Sequence, residues 1–210
     1  MANFNRIARL YRWMEYVTLG PALERCRNHY LARAAERSQA LILGDGDGRF
    51  TARLLAANPA LDADAVDTSD VMLHLLRTRS GATNRLRIHH RDARSYAPSD
   101  YVDLVVAHFF FDCFAQHELN ALITRIASTV RPDALWLVSD FRVPSGAMHW
   151  PARIYIRSLY LAFRIFTGLR VARLPDFACA LHAAELAPVA IHRSLFGVLT
   201  TELWQREKFS

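Results

Sequence analysis

The sequence predicts an α/β fold built on a mostly parallel sheet, and three observations predict it. Short apolar runs of strand character alternate with helix-compatible stretches, a glycine-rich turn joins the first run to the first helix, and several runs end in polar residues. Such alternation indicates right-handed crossovers that place ligands at the carboxyl ends of the strands. We predict parallel strands at 40–43, 63–66, 86–90, 101–107 and 134–140.

The helices and the last strands follow from the same kind of pattern. Apolar residues at helical spacing predict an amphipathic helix over 3–17, a second over 22–37, and further helices at 51–57, 116–130 and 151–167. The runs 188–195 and 198–204 flank Phe196-Gly197 and predict two strands about a tight turn. We expect a single domain over 1–210, with a helical preamble at 1–37 and an insertion at 142–174.

The turn after the first strand carries glycine at every second position, as Gly44, Gly46 and Gly48. Glycine lets the chain turn sharply and brings backbone N–H groups close to a ligand at a helix N-terminus. A dinucleotide fingerprint would need its third glycine at Arg49, which argues against NAD or FAD, and no Gly-Lys-Ser/Thr follows to form a phosphate loop. Alone, the turn is a weak signal, because such a turn can be purely structural.

Aspartates follow the second and third predicted strands. Asp67 stands roughly 20 residues past the glycines, where a carboxylate accepts both hydroxyls of a ribose. Asp92 is placed to accept from an exocyclic amino group such as that of adenine. Loop or helix-cap roles are the alternative for either residue, and for Asp92 alone they are preferred. Together and in this order, the glycines and the two aspartates predict a nucleoside site.

Residues 36–141 resemble the class I S-adenosylmethionine-dependent methyltransferases, through the stretches 41–48, 66–69 with Met72, 92–93 and 103–108. The resemblance implies a Rossmann-like, seven-stranded sheet with an antiparallel last strand pair and S-adenosylmethionine across its first strands. Leu43 replaces the acidic residue often seen before the first glycine, so Asp45 is the nearest group for the methionine ammonium. The cofactor-binding residues implied are Gly44, Asp45, Gly46, Gly48, Asp67, Thr68, Met72, Asp92, Ala93, His108 and, from the preamble, Tyr11.

Methyl transfer needs mainly in-line positioning of a nucleophile and exclusion of water, so no catalytic residue is obligatory. A base helps a phenol or an activated carbon, although a structural role outweighs catalysis for each polar side chain near the expected pocket. Those side chains are His108, Asp112 and His149, together with His117 and Asp140. We predict a small apolar or aromatic acceptor. The acceptor contacts predicted are Phe109, Phe111, Asp112, Trp150, Tyr155 and Leu159.

Composition and charge limit the cellular compartment and the classes of binding partner that we expect. Cys26, Cys113 and Cys179 are odd in number and far apart, so neither disulfides nor a metal site is expected, and a reducing cytoplasm fits best. The net charge of +6 matches the segment 141–175, which holds six arginines and no acidic residue. No nucleic-acid reading module and no Asn/Asp-Pro-Pro-aromatic motif accompanies it, so nucleic acid is not an expected partner.

The predicted helix at 151–167 carries a narrow stripe of Arg153, Arg157 and Arg164 beside a broad apolar face. We interpret it first as a cap that excludes water from the transfer site, second as a peripheral membrane contact through 150–170, and otherwise as a homodimer contact. The charges exclude a membrane span. Two other functions stay open: methylation of RNA or protein, and cofactor binding without methyl transfer or with non-methyl sulfonium chemistry.

Overall fold

One sheet of seven strands runs through the residues that the computed structural model describes, 20–167 and 174–207. The strands are β1 (Gln39–Leu43), β2 (Asp62–Asp67), β3 (Leu86–His90), β4 (Leu104–His108), β5 (Leu135–Phe141), β6 (Leu186–Ser194) and β7 (Leu199–Arg206). Their spatial order is β3-β2-β1-β4-β5-β7-β6. Strands β1 to β5 pair in parallel, whereas β7 runs antiparallel to both β5 and β6. The predicted fold class is confirmed, including its antiparallel last pair.

Helices connect the strands on both faces of the sheet. Within the described ranges they are α1 (Gly20–Asn28), α2 (Leu31–Ala34), α3 (Arg49–Ala57), α4 (Asp70–Ser80), α5 (Gln116–Thr129), α6 (His149–Thr167) and α7 (Phe177–Ala183). Short 3₁₀ turns occur at Phe111–Cys113, Gly146–Met148 and Leu195–Gly197. The predicted helix at 3–17, with Tyr11, lies outside the described residues.

The stretch 22–37, predicted as one helix, is divided into α1 and α2, which corrects that prediction. The side-chain amide of Asn28 donates to the Glu24 carbonyl at 2.7 Å, and the His29 N–H donates to the Cys26 carbonyl at 3.2 Å. The His29 ring also stacks on His192 of β6, with 3.6 Å between ring centroids. This contact with a strand distant in sequence holds the chain at the break.

Successive residues of the central strands enter two different hydrophobic cores. Leu41 and Leu43 pack with α5 and α7, whereas Ala40 and Ile42 pack with α3. Every residue of β4 and β5 is buried, as expected of strands covered on both faces. Because β1 lies between β2 and β4, the carboxyl ends of these three strands stand side by side at one edge.

The insertion helix α6 packs near the carboxyl end of β5. Its Ala152 and Ile156 are buried in a third apolar cluster with Leu23 of α1 and Phe141 of β5. The side chains of α6 are described through residue 158. Among residues 20–167 and 174–207, no helix is both long enough and apolar enough to cross a membrane. Helices α1 and α6 therefore meet above the edge where the strand ends gather.

Candidate functional site

The glycine turn leaves one of its positions open to a ligand. Gly44, Gly46 and Gly48 have φ angles of 61°, 63° and 80°, in the left-handed region that favours glycine. A Cβ on Gly44 would lie 2.3 Å from the Phe110 ring, and one on Gly48 would lie 2.5 Å from the Cα of Leu76. A Cβ on Gly46 would meet no atom within 4 Å. Gly44 and Gly48 therefore allow close packing, whereas Gly46 faces open space.

Asp45 is buried just before α3, and one of its two carboxylate oxygens accepts hydrogen bonds from that helix. Its Oδ2 accepts from the N–H of Thr51 at 2.9 Å and from the hydroxyl of Thr51 at 2.6 Å. Its Oδ1 is buried and has no hydrogen-bond partner among the described residues. Burial raises the pKa of Asp45 to about 6. One buried carboxylate oxygen thus remains for a donor from outside the described residues.

His108 ends β4 as a buried, neutral imidazole. Its ring packs edge-on against Phe50, with 4.5 Å between ring centroids, and neither ring nitrogen has a hydrogen-bond partner within 20–167 and 174–207. Burial, assisted by the positive charge of Arg27, holds the pKa of His108 well below its usual value. An unpartnered buried polar group costs about 1–3 kcal/mol, so a nearby ligand donor or acceptor would relieve this cost.

Arg27 is a site residue that the sequence did not predict. It belongs to α1, and its guanidinium lies over the Phe109 ring, 5.2 Å from the ring centroid. Its charge lowers the pKa of both Asp45 and His108. The only sequence signal was a basic residue in an amphipathic helix, which is more often a solvated residue than a ligand contact.

Asp67 is the last residue of β2, and the following turn orients its carboxylate. Its Oδ1 accepts from the Ser69 N–H at 2.8 Å. Burial raises the pKa of Asp67, although backbone hydrogen bonds from Ser69 and Thr68 act in the opposite direction. The Ser69 hydroxyl caps α4 by accepting from the N–H of Met72, which is buried, while Thr68 is exposed. The carboxylate that we predict to bind the ribose is therefore held in a fixed orientation by the junction of β2 and α4.

Asp92 already has a charged partner. Arg94 Nε lies 3.1 Å and 3.0 Å from its two carboxylate oxygens, and Arg94 also bonds Glu118 at 2.5 Å. Burial raises the pKa of Asp92, but the hydrogen bonds from Arg94 outweigh it and the net shift is downward. Ala93 beside it is buried. An adenine amine at this position would share the carboxylate with Arg94, and the predicted contact stays a prediction.

Two carboxyl groups meet at the carboxyl ends of β4 and β5. Asp112, in the 3₁₀ turn, and Asp140, in β5, are 8% and 1% exposed. The backbone N–H of Asp112 donates to the Asp140 carboxylate, and the N–H of Phe141 donates to Asp140 Oδ1 at 2.7 Å. Burial raises the pKa of Asp112 to about 6. Burial and the neighbouring charge of Asp112 raise the pKa of Asp140 well above its usual value. Both carboxyl groups of this acid pair therefore ionise less readily than an exposed carboxyl group.

The thiol of Cys113 interacts with the acid pair and with the carboxylate at the end of β2. Its thiol donates to Asp112 Oδ1 at 3.5 Å. Burial, followed by the charges of Asp112, Asp140 and Asp67, raises the pKa of the thiol well above its usual value. Since one thiol senses all three carboxylates, Asp67 and the acid pair belong to the same edge of the sheet.

Aromatic side chains surround the acid pair. Phe109 has a φ of 51°, a left-handed conformation that costs a non-glycine residue about 1–3 kcal/mol, and its ring lies 5.1 Å from that of Phe141. The rings of Phe110 and Phe114 are 5.0 Å apart. Phe111 is fully buried in the core beneath α5. Phe109 and Phe110 are only partly buried and border the site, whereas Phe111, also predicted as an acceptor contact, packs in the core.

Helix α6 covers part of this edge. Tyr155 packs against the third apolar cluster, as do Phe109 and Cys113. The buried faces of Ala152 and Ile156 fix α6 in the same cluster. The inward face of α6 therefore packs in the cluster that holds Phe109 and Cys113, and its role as a cap stays a prediction.

The remaining predicted residues are placed differently. His149 Nδ1 lies 3.2 Å from the Pro144 carbonyl oxygen, and Trp150 is 66% exposed. His117 is exposed, and the side chain of Leu159 lies outside the described ones. At the start of α5, the Ala115 N–H donates to the Glu118 carboxylate at 3.1 Å. Within 20–167 and 174–207, no group of three or more His, Cys, Asp or Glu side chains is placed to hold a metal ion.

Several solved structures share this fold. The mitomycin 7-O-methyltransferase MmcR is 17% identical with a TM-score of 0.63, over 93% of this chain and 60% of its own. The N-methyltransferase NodS from Bradyrhizobium japonicum WM9 is 14% identical with a TM-score of 0.64, over 89% of this chain and 98% of its own. CalO1, a methyltransferase in calicheamicin biosynthesis, is 19% identical with a TM-score of 0.66, over 94% of this chain and 56% of its own.

Sequence comparison gives a more direct assignment. Residues 40–133 match the family model described as a methyltransferase domain. No curated protein matches the sequence. The match covers the glycine turn, both strand-end aspartates and β4, the segments on which the resemblance rested. The matched part of the chain, residues 40–133, is therefore a methyltransferase domain, which agrees with the resemblance to the class I S-adenosylmethionine-dependent family.

Proposed function

We propose that this chain transfers the methyl group of S-adenosylmethionine to a small apolar or aromatic acceptor. The observation that carries the proposal is the position of the buried acid pair, Asp112 and Asp140. The charges of both carboxyl groups, and that of Asp67, act on the same Cys113 thiol. A proton acceptor thereby lies beside the carboxylate predicted to bind the cofactor ribose. Phe109 and Tyr155 pack in the same apolar cluster as Cys113.

The residues at the glycine turn fit this cofactor. Gly46 leaves room for a ligand, and Asp67 offers a carboxylate to the ribose hydroxyls. The free Oδ1 of Asp45 is available to the methionine ammonium, and the guanidinium of Arg27 complements the methionine carboxylate. His108 supplies a neutral imidazole at the same edge. These roles extend the sequence prediction to Arg27 and otherwise retain it.

Bound S-adenosylmethionine supplies a methyl group that its sulfonium makes electrophilic. The chain has to hold the acceptor in line, exclude water and accept the proton that the acceptor loses. Phe109 and Phe110 provide apolar walls, and α6 covers them through Tyr155. An acceptor oxygen or nitrogen that took the methyl group from the bound cofactor would lose its proton, and Asp112 would accept that proton. Burial and the neighbouring charge of Asp112 raise the pKa of Asp140, which makes Asp140 the more readily protonated member of the pair.

The activities named for the similar structures support a small acceptor. MmcR is named as an O-methyltransferase for mitomycin, NodS as an N-methyltransferase, and CalO1 as a methyltransferase in calicheamicin biosynthesis. This chain spans only 60% of MmcR and 56% of CalO1, so its own acceptor is identified by experiment rather than by likeness.

The test is incubation with methyl-labelled cofactor and a panel of phenols, quinols, amines and RNA, with product masses measured. We expect label in at least one small phenol, quinol or amine. If RNA alone is labelled, the acceptor is RNA and the proposed class of small acceptors is wrong. If calorimetry detects binding of S-adenosylhomocysteine but no acceptor is labelled, the chain is a cofactor-binding protein, and the proposed transfer is wrong.

A further inference from the structure

Three large apolar side chains are exposed to solvent at the end of the molecule that carries α6. Trp150 and Ile154 are 66% and 65% exposed, four residues apart on the outer face of that helix. Phe196, in the turn between β6 and β7, is 79% exposed. We call Trp150, Ile154 and Phe196 the apolar tip. The inner face of α6 is occupied by its packing on α1 and β5, so the apolar tip belongs to a separate surface.

The turn that carries Phe196 lies against the start of α6. A Cβ on Gly197 would come 3.2 Å from Pro144, and the Pro144 carbonyl contacts His149 Nδ1 at 3.2 Å. Leu195 packs in the same apolar cluster as Ala152 of α6. The β6–β7 turn and the first turns of α6 are therefore neighbours, and their exposed side chains form one surface.

This surface is kept at an energetic cost. Leu195 and Phe196 have φ angles of 50° and 55°, and such left-handed conformations cost a non-glycine residue about 1–3 kcal/mol each. The strained turn does not bury Phe196. It holds an aromatic ring away from the core, which is unfavourable unless the ring is buried against a partner.

The charges around the apolar tip indicate the partner. The Arg153 guanidinium lies 5.6 Å from the Trp150 ring centroid, and Arg157 is exposed one turn further along α6. The sequence of 141–175 has six arginines and no acidic residue; Arg142, Arg153 and Arg157 have described side chains, and Arg142 pairs with Glu202. A partner that accepts aromatic rings and binds arginines is both apolar and anionic. A second copy in a two-fold contact would oppose arginine to arginine, which disfavours self-association.

We propose that the apolar tip and the arginines beside it bind the surface of a bilayer that contains anionic lipid. Tryptophan and phenylalanine are buried at the headgroup boundary, and the flanking arginines bind the lipid phosphates. The helix then has two functions on opposite faces, since Tyr155 and Ile156 face the protein. Lipid binding needs no methyl transfer, so the proposal stands or fails independently of the proposed function.

The test is co-sedimentation of the full chain with phosphatidylcholine vesicles, with and without phosphatidylglycerol, at low and high salt. We expect binding only to the anionic vesicles and weaker binding at high salt. Ile154→Ser and Phe196→Asn should each weaken it about tenfold, because each removes an inserted apolar group worth at least 1.4 kcal/mol at about 0.8 kcal/mol per CH₂. Asparagine tolerates the left-handed conformation, so the second variant should fold.

Matched control variants test whether vesicle binding depends on the apolar tip or on any exposed aromatic or arginine side chain. Tyr101 is 75% exposed but precedes β4, at the opposite edge of the sheet, and Tyr101→Ala should leave vesicle binding unchanged. Arg157→Gln should weaken binding at low salt, whereas Arg77→Gln on α4 should not. Absence of binding to anionic vesicles would overturn the proposal. So would equal loss in the Tyr101 variant, or a dimer in solution that Phe196→Asn dissociates.

Discussion

The two sides of the candidate site are built differently. On the side proposed to bind the cofactor, called the cofactor side, the glycine turn, Asp45 and Asp67 belong to two consecutive strand–turn–helix units, and backbone groups within a few residues orient each carboxylate. On the side proposed to bind the acceptor, called the acceptor side, Asp112 comes from a turn after β4, Asp140 from β5, and the proposed cap is α6. The acid pair is oriented only when those elements pack together.

This difference teaches which residues tolerate change. The cofactor side is stabilised locally, so a substitution there should alter binding or the stability of one turn. The acceptor side keeps two carboxyl groups buried at raised pKa, an unfavourable arrangement that the rest of the fold has to sustain. Substitutions on the acceptor side should therefore change the reaction more than the fold.

Asp112→Asn should have the largest effect. Loss of the proton acceptor should lower kcat by about 10²–10⁴-fold while S-adenosylhomocysteine affinity stays nearly constant. The ionised carboxylate is the active form, and the pKa of Asp112 is raised to about 6. In the wild type, kcat should therefore rise as pH increases through that value. Steady-state kinetics over a range of pH measures kcat and its pH dependence, with Asp100→Asn as the control. If Asp112→Asn leaves kcat and its pH profile unchanged, Asp112 is not the proton acceptor.

Gly48→Ala should reduce the free energy of unfolding by about 2–5 kcal/mol. The left-handed φ of 80° costs alanine about 1–2 kcal/mol. The contact of its Cβ with the Leu76 backbone adds overpacking of about 1–3 kcal/mol. Gly46→Ala, which meets no atom, should pay only the conformational cost yet lose cofactor affinity. Denaturant titration and calorimetry on both variants distinguish them, and equal stability loss would contradict the assignment of open space to Gly46.

Asp67→Ala should weaken S-adenosylhomocysteine binding ten- to a hundredfold, because charge-assisted hydrogen bonds of about 1.5–3 kcal/mol are lost. The melting temperature of the apo protein should change little, since burial of the charge is itself unfavourable. Asp62→Ala, at the other end of β2, is the control. Collapse of apo stability with normal binding by the residual folded protein would make Asp67 a structural residue.

The pH dependence of cofactor binding should show the smallest effect. If the ionised Asp45 carboxylate binds the methionine ammonium, affinity should rise with pH through its pKa of about 6, and the gain should be about tenfold between about pH 5 and 7. Asp45→Asn should flatten this rise for S-adenosylhomocysteine. Methylthioadenosine, which lacks the ammonium, should show no effect of the variant. A steep rise that survives in Asp45→Asn would assign the ammonium elsewhere.

The fold was predictable because its signals are local. Buried strands are apolar runs, and the glycine turn follows the first of them, so Asp67 occurs at the last position of β2 as the sequence indicated. The insertion helix was predicted at 151–167 and runs over His149–Thr167. The division of the predicted helix 22–37 was missed because the stacking of His29 on His192 depends on a strand far along the chain.

The sequence by itself determined the sheet, its glycine turn and the strand-end carboxylates, since backbone periodicity and turn geometry act within a few residues. Only the tertiary structure decided that Arg27 acts on Asp45 and His108, that Asp112 and Asp140 form a pair, and that Phe111 packs in the core. Burial and the distance between charges set these properties, and both arise from the packing of segments that no local pattern relates.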